Sequence, residues 1–157
     1  MVAFSIPPAF HRHAALLKRK RHNERRDVGD RGNIVVRQDS TSADDVWFYT
    51  HWSGFKIGEV VREALAKNWR WEDASYLARI IFDTLTSVRQ HGTETGFGIS
   101  TRLQDNEYPI VVVDVPRQKV WTIEERQLTD GRIPNGFNAS DETDFADYVK
   151  QPAEKAT

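Results

Sequence analysis

Apolar and polar residues follow two rhythms along the middle of the chain. Ile34, Val35 and Val36 lie within Asn33 to Gln38, a short β-branched run that predicts a strand. After a polar turn from Gln38 to Asp45, Val46 to Trp52 divides into two faces. Val46, Phe48, Thr50 and Trp52 stand against Trp47, Tyr49 and His51, the period of two expected of a strand. The two strands are expected to pair as a hairpin. Ser53 and Gly54 break this rhythm, and Ile57, Val60, Val61, Ala64 and Leu65 recur at helical spacing, with Asn68 placed to end the helix. Asp73 is the candidate N-cap of a second helix, whose stripe is Leu77, Ile80, Ile81, Leu85 and Val88.

Gly92 and Gly96 punctuate the next loop, after which Phe97, Ile99, Thr101 and Leu103 alternate with Gly98, Ser100 and Arg102 as a third strand. Ile110 to Val115 is an almost continuous apolar run, expected to be central in the sheet or buried on both faces. Pro116-Arg117 makes a turn before a fifth strand, Lys119 to Ile123. The order ββααβββ predicts an α+β fold with a mainly antiparallel five-stranded sheet and two helices packed on one face.

Composition narrows the chemistry. The 157 residues are 39% hydrophobic and 29% charged, which suits a single domain able to bury about 70% of its unfolded surface. The absence of cysteine excludes a thiolate nucleophile and Cys-ligated metal centres. No apolar run approaches the length of a membrane span. Pro7 and Pro8 interrupt the opening segment, which lacks the pattern of a secretory signal, so a cytoplasmic location is expected.

The net charge of −1 hides a gradient. Residues 1–31 carry eight Lys/Arg against three Asp/Glu, a net of +5, and the remainder carries 14 against 20, a net of −6. The chain therefore divides into a basic N-terminal extension at 1–30, an α+β core at 31–123 and an acidic, partly flexible tail at 124–157. Lys18, Arg19, Lys20, Arg21, Arg25 and Arg26 concentrate charge in the extension, which gives a weak nucleic-acid-binding reading through counterion release. A solvated extension is the favoured alternative, because no aromatic residues interleave with the charges.

Several blocks act together as a signature: RGNIVV at 31–36, YTHWSG at 49–54, YLARIIF at 76–82, ETGFGIS at 94–100 and DNEYPIVVVD at 105–114. Their combination resembles a small family of uncharacterised bacterial and bacteriophage proteins, over roughly residues 30–123. The resemblance implies a bacterial or phage cytoplasmic protein, possessing an extension ahead of Asp30, and assigns no catalytic role to any residue.

His51 is the leading candidate for chemistry. It ends a strand beside Tyr49 and Trp52, just before a helix start whose N–H groups favour anions. An acid/base histidine needs a group to orient its second nitrogen, and Glu94, Asp105 and Glu107 lie in the turns flanking the third strand. The favoured reading is a noncatalytic module binding a small polar ligand or a protein partner through Tyr49, His51, Trp52, Glu94 and Glu107. The alternative is a hydrolase acting on a small polar or phosphorylated substrate, with His51 and Glu107 as catalytic candidates. A metal set of His51, His91 and Asp105 or Glu107 lacks ligand-motif spacing, Ser53-Gly54 lacks a nucleophile elbow, and the glycines at 92, 96 and 98 do not form a phosphate loop. No metal or cofactor is called for. Trp69 and Trp71, separated by Arg70, either cover the helix ends or meet a partner, and covering is favoured.

Overall fold

The computed structural model of the chain describes residues 29–87 and 95–152. β-Branched residues run through β1 (Gly32–Arg37), and all six of its positions are buried. It pairs antiparallel with β2 (Val46–Thr50), which in turn pairs antiparallel with β3 (Phe97–Ser100), so the third strand neighbours the hairpin. β4 (Ile110–Asp114) lies on the other side of β1 and runs parallel to it, Ile34 facing Val111 in the register. β5 (Lys119–Ile123) returns antiparallel to β4. The sheet is thus mixed and mostly antiparallel, and the continuous apolar run of β4 is central, covered on both faces.

The sheet has six strands where the sequence predicted five. β6 (Thr143–Asp144) pairs with β5, giving the order β3-β2-β1-β4-β5-β6. Two residues have too short an alternation to read as a strand, and they lie among the acidic residues assigned to a tail. Those acids have partners here. Arg117 grips Glu142 through two parallel hydrogen bonds, and Lys119 Nζ lies 2.9 Å from Asp144. The short helix α3 (Phe145–Tyr148) follows.

Both long helices cover one sheet face, as expected. In α1 (Ile57–Ala66) the buried stripe is Ile57, Val60, Val61, Ala64 and Leu65. In α2 (Ala74–Ser87) it is Leu77, Ala78, Ile81, Thr84 and Leu85, while Val88 falls outside the described residues. Asp73 does cap α2, its carboxylate accepting from Tyr76 N at 3.3 Å. Ile34, Val36, Phe48, Val111, Val113 and Val120 meet these helices from the sheet, and Phe145 of α3 completes this core. Each such side chain contributes about 1.5–3 kcal/mol by leaving water.

The opposite face forms a second core of Val35, Trp47, Ile110, Val112, Trp121, Ile123 and Ile133. Leu103, Leu128, Phe137 and Ala139 pack against it, so packed structure continues beyond residue 123 on both faces of the sheet. Trp47 and Trp121 are core residues. The inter-helix pair divides. Trp71 donates its indole N–H to the Leu65 carbonyl at 3.1 Å and meets Phe145 edge-on, covering the end of α1, whereas Trp69 is 60% exposed.

A charged pair lies at the end of the sheet away from the candidate site. Arg37 Nε and Asp45 Oδ1 are 3.4 Å apart, both side chains almost fully buried. Burial outweighs the guanidinium's attraction and pushes Asp45 up to about 6 from an ordinary 3.8. A carboxyl that binds its proton more tightly in the folded chain favours folding at low pH. That contribution is full below the unfolded value and is lost as pH rises through about 6. Urea denaturation at successive pH values is therefore expected to show wild-type stability falling, relative to Asp45→Asn, over the interval from about 4 to about 6. A difference that stays constant across the interval would contradict this assignment.

Candidate functional site

Strand β2 stops at Thr50 because its hydroxyl turns the chain. Thr50 Oγ1 accepts from the backbone N–H of Trp52 at 3.3 Å and of Ser53 at 3.2 Å. His51 thus follows the strand instead of completing it, and Trp52 forms an isolated bridge with Asp30. Tyr49 and His51 remain on one side, two residues apart. Tyr49 Oη and His51 Nδ1 are 2.8 Å apart, and the Trp52 ring meets the imidazole edge-on with centroids 4.3 Å apart. A hydroxyl that donates to Nδ1 leaves the imidazole proton on Nε2.

The carboxylates arrive from the loop between β3 and β4. Glu107 Oε2 accepts from Arg31 N at 3.3 Å, and the Glu107 N–H donates to the Arg31 carbonyl at 3.0 Å. The Arg31 guanidinium answers both acids, 3.6 Å from Glu107 and 3.8 Å from Asp105. Two carboxylates therefore face one guanidinium. Tyr49 senses them: burial first, then the Asp105 and Glu107 charges, hold its hydroxyl above the ordinary tyrosine value, against the pull of Arg31.

This loop owes its position to Asn33, a fully buried polar residue in an apolar strand. Its amide Nδ2 donates to the carbonyls of Gln104 at 3.4 Å and Asp105 at 3.1 Å and to Asn106 Oδ1 at 3.1 Å. Its Oδ1 accepts from Gln104 N at 3.2 Å. One side chain fastens the backbone that carries both acids. Asn106 in turn donates to the Tyr108 carbonyl, just ahead of Pro109.

Two glycines close the site from beneath. A Cβ on Gly32 would stand 2.8 Å from the Gly54 Cα, and one on Gly54 would stand 2.7 Å from the Arg31 carbonyl carbon. Only residues without a side chain let the start of β1 touch the turn ahead of α1 this closely. The N–H groups of Gly54 and Phe55 already donate to the carbonyl and carboxylate of Asp30, at 2.8 and 3.2 Å. Burial, and then a hydrogen bond to Asp30, push the Tyr108 hydroxyl up to about 12.

Of the residues singled out from sequence, Tyr49, His51, Trp52, Asp105 and Glu107 lie at this one end of the sheet. Glu94 and His91 fall outside the described residues, as do Lys18, Arg19, Lys20, Arg21, Arg25 and Arg26. Arg31, Asn33 and Asp30 were missed; a lone Asn between glycine and three β-branched residues is the signal that marked one of them. Among the described residues no carboxylate hydrogen-bonds to His51, and no group of three or more His, Asp or Glu is placed to hold a metal ion. No helix of the described residues is long and apolar enough to cross a membrane. Compared with known proteins, the chain matches no family model, no curated protein and no solved structure.

Proposed function

We propose that the protein is a noncatalytic binding module, whose ligand is a basic group carried by a small polar molecule or a protein partner. The convergence of Tyr49, His51 and Trp52 with Asp105 and Glu107 at one end of the sheet carries this reading. Two carboxylates against the single Arg31 leave a net negative rim, and half-buried aromatic rings beside it suit a cation. The reading places the module in a bacterial or phage–host setting, on the strength of the sequence blocks it resembles. The hydrolase reading has less support, since the partner that orients His51 is a tyrosine hydroxyl, not a carboxylate.

Native mass spectrometry of the gently purified full chain, paired with an amide NMR titration using a short lysine peptide, tests the proposal. The expected result is an added mass, or peptide-induced shifts at residues 49–52 and 105–107, lost in both His51→Ala and Glu107→Gln. A protein that carries no ligand and whose spectrum the peptide leaves unmoved would remove the proposal. So would binding that both variants retain.

A further inference from the structure

β3 is an outer strand of the sheet, and among the described residues nothing pairs with its free side. The His51 N–H donates to the Gly96 carbonyl at 2.8 Å, and by the alternation of an antiparallel ladder Gly98 and Ser100 also turn their backbone groups toward β2. Phe97 and Ile99 therefore aim their N–H and C=O groups outward. The residues that usually blunt such an edge are missing, since Gly96 to Thr101 holds neither a charge nor a proline. Ile99 lies opposite Phe48 of the helix-side core, yet it is 64% exposed, more than any other large apolar side chain described.

Gly98 points the same way. It has no positive φ, and a Cβ there would meet only Tyr49 Cδ1, at an ordinary 3.9 Å. No contact within the sheet requires a glycine at this position, whereas a second backbone passing close by is a common reason for one inside a strand.

The size of the edge selects its occupant. Four residues of strand offer far less than the area of about 1,200–2,000 Å² that a stable complex of two chains buries. A segment of the same chain needs no such area, because its tether keeps it at a high effective concentration. The sequence ahead of Gly29 holds a match: Val2, Phe4 and Ile6 alternate with Ala3 and Ser5, without charge, and Pro7-Pro8 then ends any ladder. No other stretch of residues 1–28, 88–94 or 153–157 has this pattern. The described chain begins at Gly29, against the His51 ring, and His51 bonds the residue just ahead of β3. Residues 7–28 reach about 70 Å when extended and need span only about 15 Å, three strand spacings, to bring this run to the edge.

We infer that residues 2–6 add a seventh strand to the sheet, pairing with the outward groups of Phe97 and Ile99 and covering the Ile99 side chain. Nothing in this pairing depends on a ligand at the His51 rim.

The test is amide hydrogen exchange and NOE spectroscopy on the full chain and on its double variant Phe4→Pro/Ser5→Pro. Adjacent prolines remove the donor from whichever alternate residue faces β3, and both positions lie outside every contact described above. In wild type the Phe97 and Ile99 amides are expected to be protected, with cross-strand NOEs to residues 2–6. In the variant these two amides are expected to lose protection, while Gly98 and Ser100, bonded to β2, keep theirs. The inference is overturned if Phe97 and Ile99 exchange freely in wild type or if the variant protects them equally. It is also overturned if their protection falls on dilution as sedimentation shows two chains becoming one, which would make a second copy the occupant.

Discussion

Gly54→Ala is expected to lower the unfolding free energy by about 3 kcal/mol, more than most surface changes could. The cause is steric and local. A methyl group there would lie 2.7 Å from the Arg31 carbonyl carbon, 2.8 Å from its oxygen and 2.8 Å from Tyr108 Cδ2. A tyrosine ring can swing aside, but the Arg31 backbone is fixed by its exchange of hydrogen bonds with Glu107. Gly54 has no positive φ, so the clash and not torsional strain sets the cost. Gly32→Ala meets the same contact from the other side, 2.8 Å from the Gly54 Cα, and the two changes should couple instead of adding. Urea denaturation of wild type, both single variants and the double variant measures the losses and their coupling. A loss below about 1 kcal/mol for Gly54→Ala would mean that the two segments separate easily, against the close approach described here.

Asn33→Ala should cost a comparable amount, about 3 kcal/mol, for a different reason. It leaves the Gln104 N–H without its acceptor and the carbonyls of Gln104 and Asp105 without their donor, in a partly buried setting. Asn33→Asp keeps the volume but turns a donating amide into an oxygen facing carbonyl oxygens, and so should cost at least as much at neutral pH. Denaturation gives the magnitude, and amide hydrogen exchange gives the place: protection at Gln104 should fall in both variants. Because the same loop carries Asp105 and Glu107, the variants should also lose the rim's affinity for a basic probe even where they fold. Protection at Gln104 equal to wild type would show that the loop holds itself in place.

The parts of the fold visible in the sequence were those with a local signature. Alternation from Val46 to Thr50, the stripes of α1 and α2 and the Asp73 cap each follow from neighbours within a turn or a strand. The unbroken apolar run of β4 told its burial but not its partner, since nothing local records that β1 pairs with it in parallel. β6 and the layer over the second core escaped for another reason. Leu128, Ile133 and Phe137 are spaced by loop geometry, with no period to detect, and Thr143–Asp144 is shorter than one alternation.

The candidate site was legible to a similar depth. Tyr49 and His51 share a face because they are two apart, and Glu107 suggested itself as a turn residue flanking the third strand. Arg31 was hidden by its place at the edge of the basic segment, where it read as one more charge.

The parallel ladder between β1 and β4 also orders events in time during synthesis. A growing chain makes β1 early and can zip it to β2 within a few residues, yet a lone hairpin is marginal in water. Its other edge must wait for β4, across a span like the 76 positions that separate Arg31 from Glu107. Until Ile110–Asp114 leaves the ribosome, β1, buried along its whole length in the folded chain, has an open side, and α1 and α2 have only part of a sheet to rest on. Nascent chains stalled before that point should therefore be the species most dependent on chaperones and most prone to join one another.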